Sequence, residues 1–305
     1  MKNRNDNMLL RIAQADAYAA AVEYVDPEAN EQLIIESLKF ERFLQHPTHS
    51  GLKPGMYTDD TQMSIAITEI LLSKIDICNV STDVFIEHFW RAFHRDQRSG
   101  YSRGLQKLLE TSSSPAILKA RIVPDSRQNG AAMRAVPIGV IRDINDVLKI
   151  AEMQAKVTHN THEGITSAQA VALMSHFALY TDLPFSSLPA WGVQQGLSLF
   201  ERFYEDWEGR VKAQKNNTSC PGVGVLTAHA VCTLLQKEDS LMSILKRVIE
   251  WGGDTDSVAS IAWGIASCRY QDEVIPDFFE KNLEEGGTFG SQFLRDLGRQ
   301  LMNAF

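Results

Sequence analysis

Two short segments of the chain concentrate oxygen-bearing side chains that could bind a metal ion. The first, residues 57–61 (YTDDT), lies directly ahead of an apolar periodic segment that predicts a helix from near Gln62. Asp and Thr are favoured at helix N-termini, where they cap free N–H groups, so capping alone explains one such side chain. A cap uses one side chain, however, and four adjacent oxygen-bearing residues crowd this turn. Neighbouring carboxylates repel each other unless a cation or a proton lies between them.

The second segment is 252–257 (GGDTDS), again just before an apolar helix, predicted over residues 258–268. The spacing of Asp254 and Asp256 can aim two carboxylates at one point, and the paired glycines allow the backbone to turn tightly. A capped turn is the alternative here too, because a single D-x-D sequence is a weak signal.

Together the two segments indicate more than either does alone. Neither contains a Cys or a flanking His of the kind that marks zinc sites, and all-oxygen ligands suit Mg²⁺ or Mn²⁺. Two loops that meet at one end of a helical domain could hold two ions side by side and orient water and a phosphorylated or sugar substrate. The residues therefore predict a binuclear hydrolase without naming its substrate.

The elements that must position these segments are predicted to be helices. Apolar residues recur at helical spacing in three segments, at Met63, Ile67, Ile70 and Leu71, at Phe85, Phe89 and Ala92, and at Leu241, Ile244, Leu245, Val248 and Ile249. Loop-forming residues separate ten or more such segments, at 46–57, 111–115, 182–189, 215–224 and 284–290. Val-rich alternating runs are nearly absent, so we expect an all-α fold, a single compact multi-helix domain over residues 1–305.

Composition excludes several classes of protein. Hydrophobic residues make up 44% of the chain, enough for a packed core, and the net charge of −8 argues against a nucleic-acid partner. The basic residues between Arg91 and Arg103 are interrupted by Asp96 and predict a solvated helix end. No stretch approaches the roughly 18 apolar residues that cross a bilayer, so no membrane partner is expected.

The cysteines and the N-terminal segment indicate the compartment. Cys78, Cys220, Cys232 and Cys268 are widely spaced, which fits neither a disulfide framework nor a zinc signature. The first twenty residues lack a continuous apolar core and are not typical of a secretory signal. Reduced thiols without an address predict a cytoplasmic protein.

Five ordered motifs resemble those of the ADP-ribosylglycohydrolases. Residues 58–64 (TDDTQMS) and 253–257 (GDTDS) are similar to the two metal-binding signatures of that family. Residues 15–23 resemble its G-D-A-x-G-x-x-x-E segment, with Ala15 and Ala19 in place of glycines, and 126–134 (SRQNGAAMR) resemble its S-x-x-N-G-x-x-M-R segment. Thr158-His159 ahead of an Ala-rich helix completes the set, so the resemblance covers about residues 10–300. The family includes the enzyme that reactivates nitrogenase reductase and the animal hydrolases of ADP-ribosyl-arginine and ADP-ribosyl-serine.

The resemblance implies a set of site residues. Two Mg²⁺ or Mn²⁺ ions would be held by six residues, Thr58, Asp59, Asp60, Asp254, Asp256 and Ser257, the last of which is usually Thr in the family. Glu23 matches a glutamate near the scissile bond on a mobile loop. The ribose and diphosphate would lie along Ser126, Asn129 and Gly130, and His159 matches a histidine of the same pocket. Tyr101 lies in a loop that could face the acceptor, although a plain turn is the alternative.

The resulting hypothesis is metal-assisted hydrolysis of an N- or O-glycosidic bond, with Glu23 as general base and Asp256 holding a metal. The substrate would be an ADP-ribosylated protein, with arginine as the first expectation and serine as the second, and ADP-ribose would be the product. One alternative is an immunity-type protein that blocks a partner ADP-ribosyltransferase. Another is a phosphohydrolase of free ADP-ribose or a nucleotide, which would release AMP or phosphate.

Overall fold

The computed structural model describes residues 1–73, 76, 79–207 and 223–305, and within these ranges the chain is helical. The α-helices are α1 Met8–Ala19, α2 Glu31–Ser37, α3 Asp59–Leu72, α4 Thr82–Arg95, α5 Arg103–Thr111, α6 Pro115–Arg121, α7 Gly130–Met133, α8 Ile144–Ala155, α9 His162–Tyr180, α10 Leu188–Gln194, α11 Val223–Lys237, α12 Leu241–Trp251, α13 Thr255–Ala266, α14 Phe278–Lys281 and α15 Ser291–Ala304. Short 3₁₀ helices cover Ala20–Val22, Val136–Val140, Phe185–Ser187 and Ser198–Tyr204. The described residues form no β-strand, and an isolated bridge joins Asp125 to His159, so the all-α prediction is confirmed.

Helices α1, α3, α9 and α13 form the centre of the fold. Every residue of α13 is buried, and so are nearly all residues of α1 and α3, as expected for helices that are covered on all sides. Helix α1 packs along α13 at close range, because a Cβ on Gly264 would lie only 2.6 Å from Cγ1 of Ile12. This packing matters for the site, since α13 and α3 both begin at the same end of the core.

Amphipathic helices cover this centre. Helices α12 and α15 bury one face each, through Leu241, Ile244, Leu245, Val248 and Ile249 and through Leu294, Leu297, Leu301 and Met302. One cluster of buried apolar side chains extends from Met8 to Met302. That continuity supports the single domain over residues 1–305, which stays a prediction.

The predicted helical segments and loops agree with the observed elements. The three apolar patterns fall in α3, α4 and α12, and loops lie at 46–57, 111–115 and 284–290. The 182–189 loop contains the 3₁₀ turn Phe185–Ser187 and ends where α10 begins. Most of the predicted 215–224 loop lies outside the described residues, as do Cys78 and Cys220. Cys232 and Cys268 are buried free thiols.

One sequence-based interpretation was wrong. Arg98, expected on a solvated helix end, is 5% exposed and forms ion pairs with Glu284 and Asp96. Its guanidinium lies 3.7 Å from the centre of the Tyr57 ring and donates to the Tyr57 carbonyl at 3.2 Å. Glu284 comes from a loop more than 180 residues away, so local sequence does not reveal the pairing that buries this arginine.

No helix among the described residues is long and apolar enough to span a bilayer.

Candidate active site

A buried carboxylate from α1 organises the first acidic segment. Asp16 is fully buried and accepts hydrogen bonds from the backbone N–H groups of Thr58, at 3.1 Å, and of Thr61, at 3.0 Å. It also accepts from the hydroxyls of both threonines, at 2.9 and 2.6 Å. Asp16 therefore caps the N-terminus of α3 from a neighbouring helix. The carboxylates of Asp59 and Asp60 are then not needed as helix caps.

Both site helices begin three residues earlier than expected. Helix α3 starts at Asp59 rather than near Gln62, and α13 starts at Thr255 rather than at 258. Asp59, Asp60 and Asp256 thus lie in the first helical turns, and Asp254 is the N-cap residue of α13, where carboxylates interact favourably with the helix dipole. The two glycines before α13 adopt left-handed conformations, with φ of 65° at Gly252 and 85° at Gly253, as the predicted tight turn requires.

Asp60 connects the two acidic segments. Its carboxylate accepts from the Ser260 hydroxyl at 3.0 Å and from the Ser257 hydroxyl at 3.4 Å, both on α13. The N-termini of α3 and α13 are therefore adjacent, as the two-loop hypothesis requires.

Glu23 completes the acidic group. One carboxylate oxygen from each of Glu23, Asp254 and Asp256 can be chosen so that all three lie within 4.8 Å of one another. Oδ2 of Asp254 accepts from the Tyr24 hydroxyl at 2.9 Å and from the Asn129 amide at 3.0 Å. Oδ1 of Asp254 is buried and has no hydrogen-bond partner among the described residues, so it is free to bind a cation.

The electrostatics of this group favour a bound cation. Burial, followed by the charge of Asp16, raises the pKa of Asp59 to about 8. Burial and the neighbouring carboxylates also raise the pKa values of Asp60, Asp256 and Glu23 well above their usual range. Several buried acids at close range destabilise one another unless protons or metal ions balance their charge. The donor set consists of oxygens alone, which fits Mg²⁺ or Mn²⁺.

A cavity of about 370 Å³ opens over these carboxylates. Ten of the twelve predicted site residues line it, namely Glu23, Asp59, Asp60, Ser126, Asn129, Gly130, His159, Asp254, Asp256 and Ser257. Thr58 is not one of the lining residues, and its hydroxyl donates to Asp16 at 2.9 Å. Tyr101 is buried with its hydroxyl donating to Gln62 at 2.5 Å, and the wall of the cavity there comes from Gly100 and Ser102.

The two substrate-binding motifs form one wall. The N–H of Ser126 donates to the Thr158 carbonyl at 3.3 Å, and the Thr161 hydroxyl donates to the Ser126 carbonyl at 2.9 Å. A Cβ on Gly130 would lie 3.0 Å from Cε1 of His159, so glycine allows the helix α7 to approach the imidazole closely. Motifs separated by some thirty residues of sequence are thereby placed side by side.

Hydrogen bonds fix the tautomer of His159. The buried Arg134 donates from Nη2 to the Thr158 hydroxyl at 3.0 Å, and this hydroxyl lies 2.7 Å from Nδ1 of His159. Because arginine only donates, the hydroxyl accepts from it and has its own hydrogen available for Nδ1. Burial, with the charge of Arg134, lowers the pKa of His159 to about 3, so the ring is neutral. Its Nε2–H then has no partner among the described residues and is available to a ligand in the cavity.

Eight further residues line the cavity, and three of them, Tyr24, Arg134 and Gly100, shape the site. Tyr24 directly follows Glu23, and this adjacency was the available signal. Arg134 ends the 126–134 motif, whose sequence alone indicates no function for this residue. Gly100 has φ of 121°, and a Cβ there would lie 2.6 Å from Oδ1 of Asp59. A glycine in a predicted turn gives no indication of such a long-range approach.

Comparison with known proteins identifies the family of this chain. The family model for ADP-ribosylglycohydrolase matches residues 2–305. The chain is 25% identical to ADP-ribosylhydrolase ARH3 of Gallus gallus, over 81% of each protein. It is 22% identical to ADP-ribosyl-[dinitrogen reductase] glycohydrolase of Rhodospirillum rubrum, over 90% of this chain and 88% of that protein.

The fold has a counterpart among solved structures. A chain described as "ADP-ribosylglycohydrolase-related protein complex" superposes with a TM-score of 0.72 at 20% identity, covering 99% of this chain and 98% of that one. The resemblance seen in the five motifs is thus confirmed over the whole sequence. This chain belongs to the ADP-ribosylglycohydrolase family and is a hydrolase of the class that cleaves glycosidic bonds of ADP-ribose.

Proposed function

We propose that this enzyme releases intact ADP-ribose from an ADP-ribosylated protein, with arginine as the preferred acceptor. The observation that carries the proposal is the single cavity that combines five carboxylates with a neutral imidazole donor. We further propose that it acts in the cytoplasm on a protein substrate.

We propose that two divalent cations bind at this cavity. Thr58, Asp59, Asp60, Asp254, Asp256 and Ser257 would hold them, and the free Oδ1 of Asp254 supports this assignment. When bound, Mg²⁺ or Mn²⁺ would supply Lewis acidity and balance the negative charge of the carboxylates. Glu23 lies close enough to Asp254 and Asp256 to share in this charge balance.

The chain's own residues would bind and orient the ADP-ribosyl group. The wall formed by Ser126, Asn129 and Gly130 would follow the ribose and diphosphate, and the Nε2–H of His159 would donate to a substrate oxygen. The Asn129 amide holds Asp254 at 3.0 Å, so substrate binding along this wall is coupled to the position of an acidic residue.

Glu23 is proposed to act as the general base. Water attacks the anomeric carbon as the bond to the acceptor atom breaks, and positive charge develops on the ribose. The Glu23 carboxylate takes a proton from that water and stabilises the developing cation. The proton taken up by Glu23 is then passed to the departing acceptor nitrogen or oxygen, which regenerates the base and leaves free ADP-ribose and an unmodified side chain.

The acceptor is inferred from charge. Glu23 is the one partly exposed carboxylate of the five, whereas Asp59, Asp60, Asp254 and Asp256 are buried. Bound cations would favour the charged form of Glu23, and a charged carboxylate on the less buried side of the site complements a cationic guanidinium better than a neutral serine hydroxyl. Arginine is therefore the first acceptor to test, and serine is the second.

Product analysis tests the proposal. Mass spectrometry would follow wild-type enzyme with Mg²⁺ or Mn²⁺ on proteins ADP-ribosylated at arginine, on proteins modified at serine, and on free ADP-ribose. We expect intact ADP-ribose from the arginine-linked substrate at the highest rate. Faster release from serine would overturn the acceptor assignment, and AMP or phosphate as the main product would identify a phosphohydrolase. Metal-independent, stoichiometric inhibition of an ADP-ribosyltransferase without any product would favour the immunity-type alternative.

A further inference from the structure

A histidine outside the cavity contacts the backbone of the proposed general base. His46 lies in the loop between α2 and α3, is 6% exposed, and has its Nε2 atom 3.0 Å from the carbonyl oxygen of Glu23. Its Nδ1 atom lies 3.2 Å from the backbone nitrogen of Thr48 and 3.1 Å from that of His49. No motif in the sequence singled out this residue.

The hydrogen bonds assign one tautomer to His46. Backbone N–H groups only donate, so Nδ1 accepts from Thr48 and His49 and carries no proton. The proton of the neutral ring is then on Nε2, which donates to the Glu23 carbonyl, a group that only accepts. The imidazole thus connects the turn at residues 46–49 to the peptide that follows Glu23.

The same peptide unit is held from its other side. The N–H of Tyr24 belongs to the peptide plane that carries the Glu23 carbonyl, and it donates to the Gly253 carbonyl at 2.7 Å. Tyr24 has φ of 49°, a left-handed conformation that is unfavourable for a residue other than glycine. Its hydroxyl is bonded to Asp254 at 2.9 Å. The peptide is therefore fixed in a strained conformation by His46 at the carbonyl and Gly253 at the N–H.

We propose that His46 is a positioning residue that clamps the Glu23–Tyr24 peptide and thereby aims the Glu23 carboxylate into the cavity. The clamp is a property of the fold, whereas its effect on turnover rests on the proposed role of Glu23. Loss of the Nε2 bond frees the Glu23 carbonyl and allows the strained Tyr24 to relax, which turns the preceding side chain away from the cavity.

Two substitutions separate the two functions of the imidazole. In His46→Asn the side-chain oxygen can replace Nδ1 and accept from the backbone N–H groups of the turn, but no donor reaches Glu23. In His46→Gln the longer amide can place an N–H near the Nε2 position and donate to the Glu23 carbonyl. His49→Ala is a matched control, because it removes the imidazole stacked on His46 at 4.0 Å without touching the clamp.

Hydrogen exchange and kinetics on the full chain decide the proposal. We expect exchange of the Tyr24 amide in His46→Asn to be about five-fold faster than in wild type, the factor for one neutral hydrogen bond. We expect kcat to fall by about ten-fold or more with KM little changed, because a small misplacement of the base affects chemistry more than binding. The Gln variant should recover most of the lost protection and kcat, and His49→Ala should match wild type.

The outcomes distinguish this inference from the proposed function. Equal exchange and kcat in the Asn and Gln variants, or wild-type values in both, would overturn the clamp. Wild-type enzyme that releases no ADP-ribose would refute the proposed function, while the exchange data would still decide whether His46 holds the peptide. Faster exchange in the Asn variant without any change in kcat would show that the clamp does not aim the base.

Discussion

Replacement of Gly100 by alanine should disturb the acidic site directly. At this position φ is 121°, and an added Cβ would lie 2.6 Å from Oδ1 of Asp59 and 2.8 Å from Cβ of Thr58. An ordinary contact begins near 3.4 Å, so the Asp59 carboxylate must move by about 0.8 Å. Together the strained backbone and the overpacking cost about 2–4 kcal/mol.

The consequences are measurable separately. A cost of that size lowers the melting temperature by about 3–6 °C for a chain of this length. A displacement approaching 1 Å in a proposed metal ligand should lower kcat/KM by about 100-fold and weaken Mg²⁺ or Mn²⁺ binding. Differential scanning calorimetry, steady-state release of ADP-ribose and metal titration by calorimetry measure the three effects.

A second glycine four residues further on provides the control. Gly104 lies in α5, is exposed, and an added Cβ there meets no atom within 4 Å. Gly104→Ala should leave metal binding unchanged and stabilise the protein by up to about 1 kcal/mol, because alanine is the better helix former. If Gly100→Ala bound metal and turned over substrate like wild type, the close approach to Asp59 would have no functional meaning and the reasoning would fail.

Three further predictions concern charge and hydrogen bonding. The pKa of Asp59 is raised to about 8, so protonation of its carboxyl group stabilises the folded, metal-free protein. This stabilisation is fully present below about pH 4 and is lost as the pH rises through 8. In thermal melts, Mg²⁺ should therefore raise the melting temperature more at pH 8 than at pH 5, and Asp59→Asn should reduce this difference. An equal rise in melting temperature at the two pH values would contradict the prediction. Thr158→Val should weaken ADP-ribose binding about ten-fold, measured by calorimetry, because His159 loses the hydroxyl that fixes its tautomer, whereas Thr158→Ser should keep the wild-type affinity. Equal affinities of the two variants would contradict the role of the Thr158 hydroxyl. Glu284→Gln should lower the free energy of unfolding, measured with urea, by about 3 kcal/mol, because the buried Arg98 loses this charged partner. A decrease below about 1 kcal/mol would refute this prediction.

Local patterns predicted the helices and the two acidic segments because both follow from short-range physics. Periodic apolar residues define a buried helical face, and Asp or Thr clusters mark helix starts, so α3 and α13 could be anticipated to within three residues. At α3 the three-residue error has a long-range cause, because Asp16 on α1 caps the N-terminus of this helix. The all-α class followed from the same periodicity.

The remaining features depend on contacts between distant residues. Burial of Arg98 needs Glu284, and the tautomer of His159 needs Arg134, neither of which is visible from neighbouring sequence. The close approach of Gly100 to Asp59 likewise depends on tertiary structure. Individual motifs named most of the cavity's residues, whereas the interactions that orient these residues come from tertiary structure.

The most direct test of the account is release of ADP-ribose by wild type and Asp256→Ala, each with Mg²⁺ and with EDTA. Asp272, an exposed aspartate on the surface, provides the matched control as Asp272→Ala. We expect metal-dependent release of intact ADP-ribose from an arginine-modified protein by wild type and by the control, and a rate at least about 100-fold lower in Asp256→Ala. Full turnover by Asp256→Ala, or undiminished turnover in EDTA, would contradict the assignment of this cavity as a metal-dependent active site.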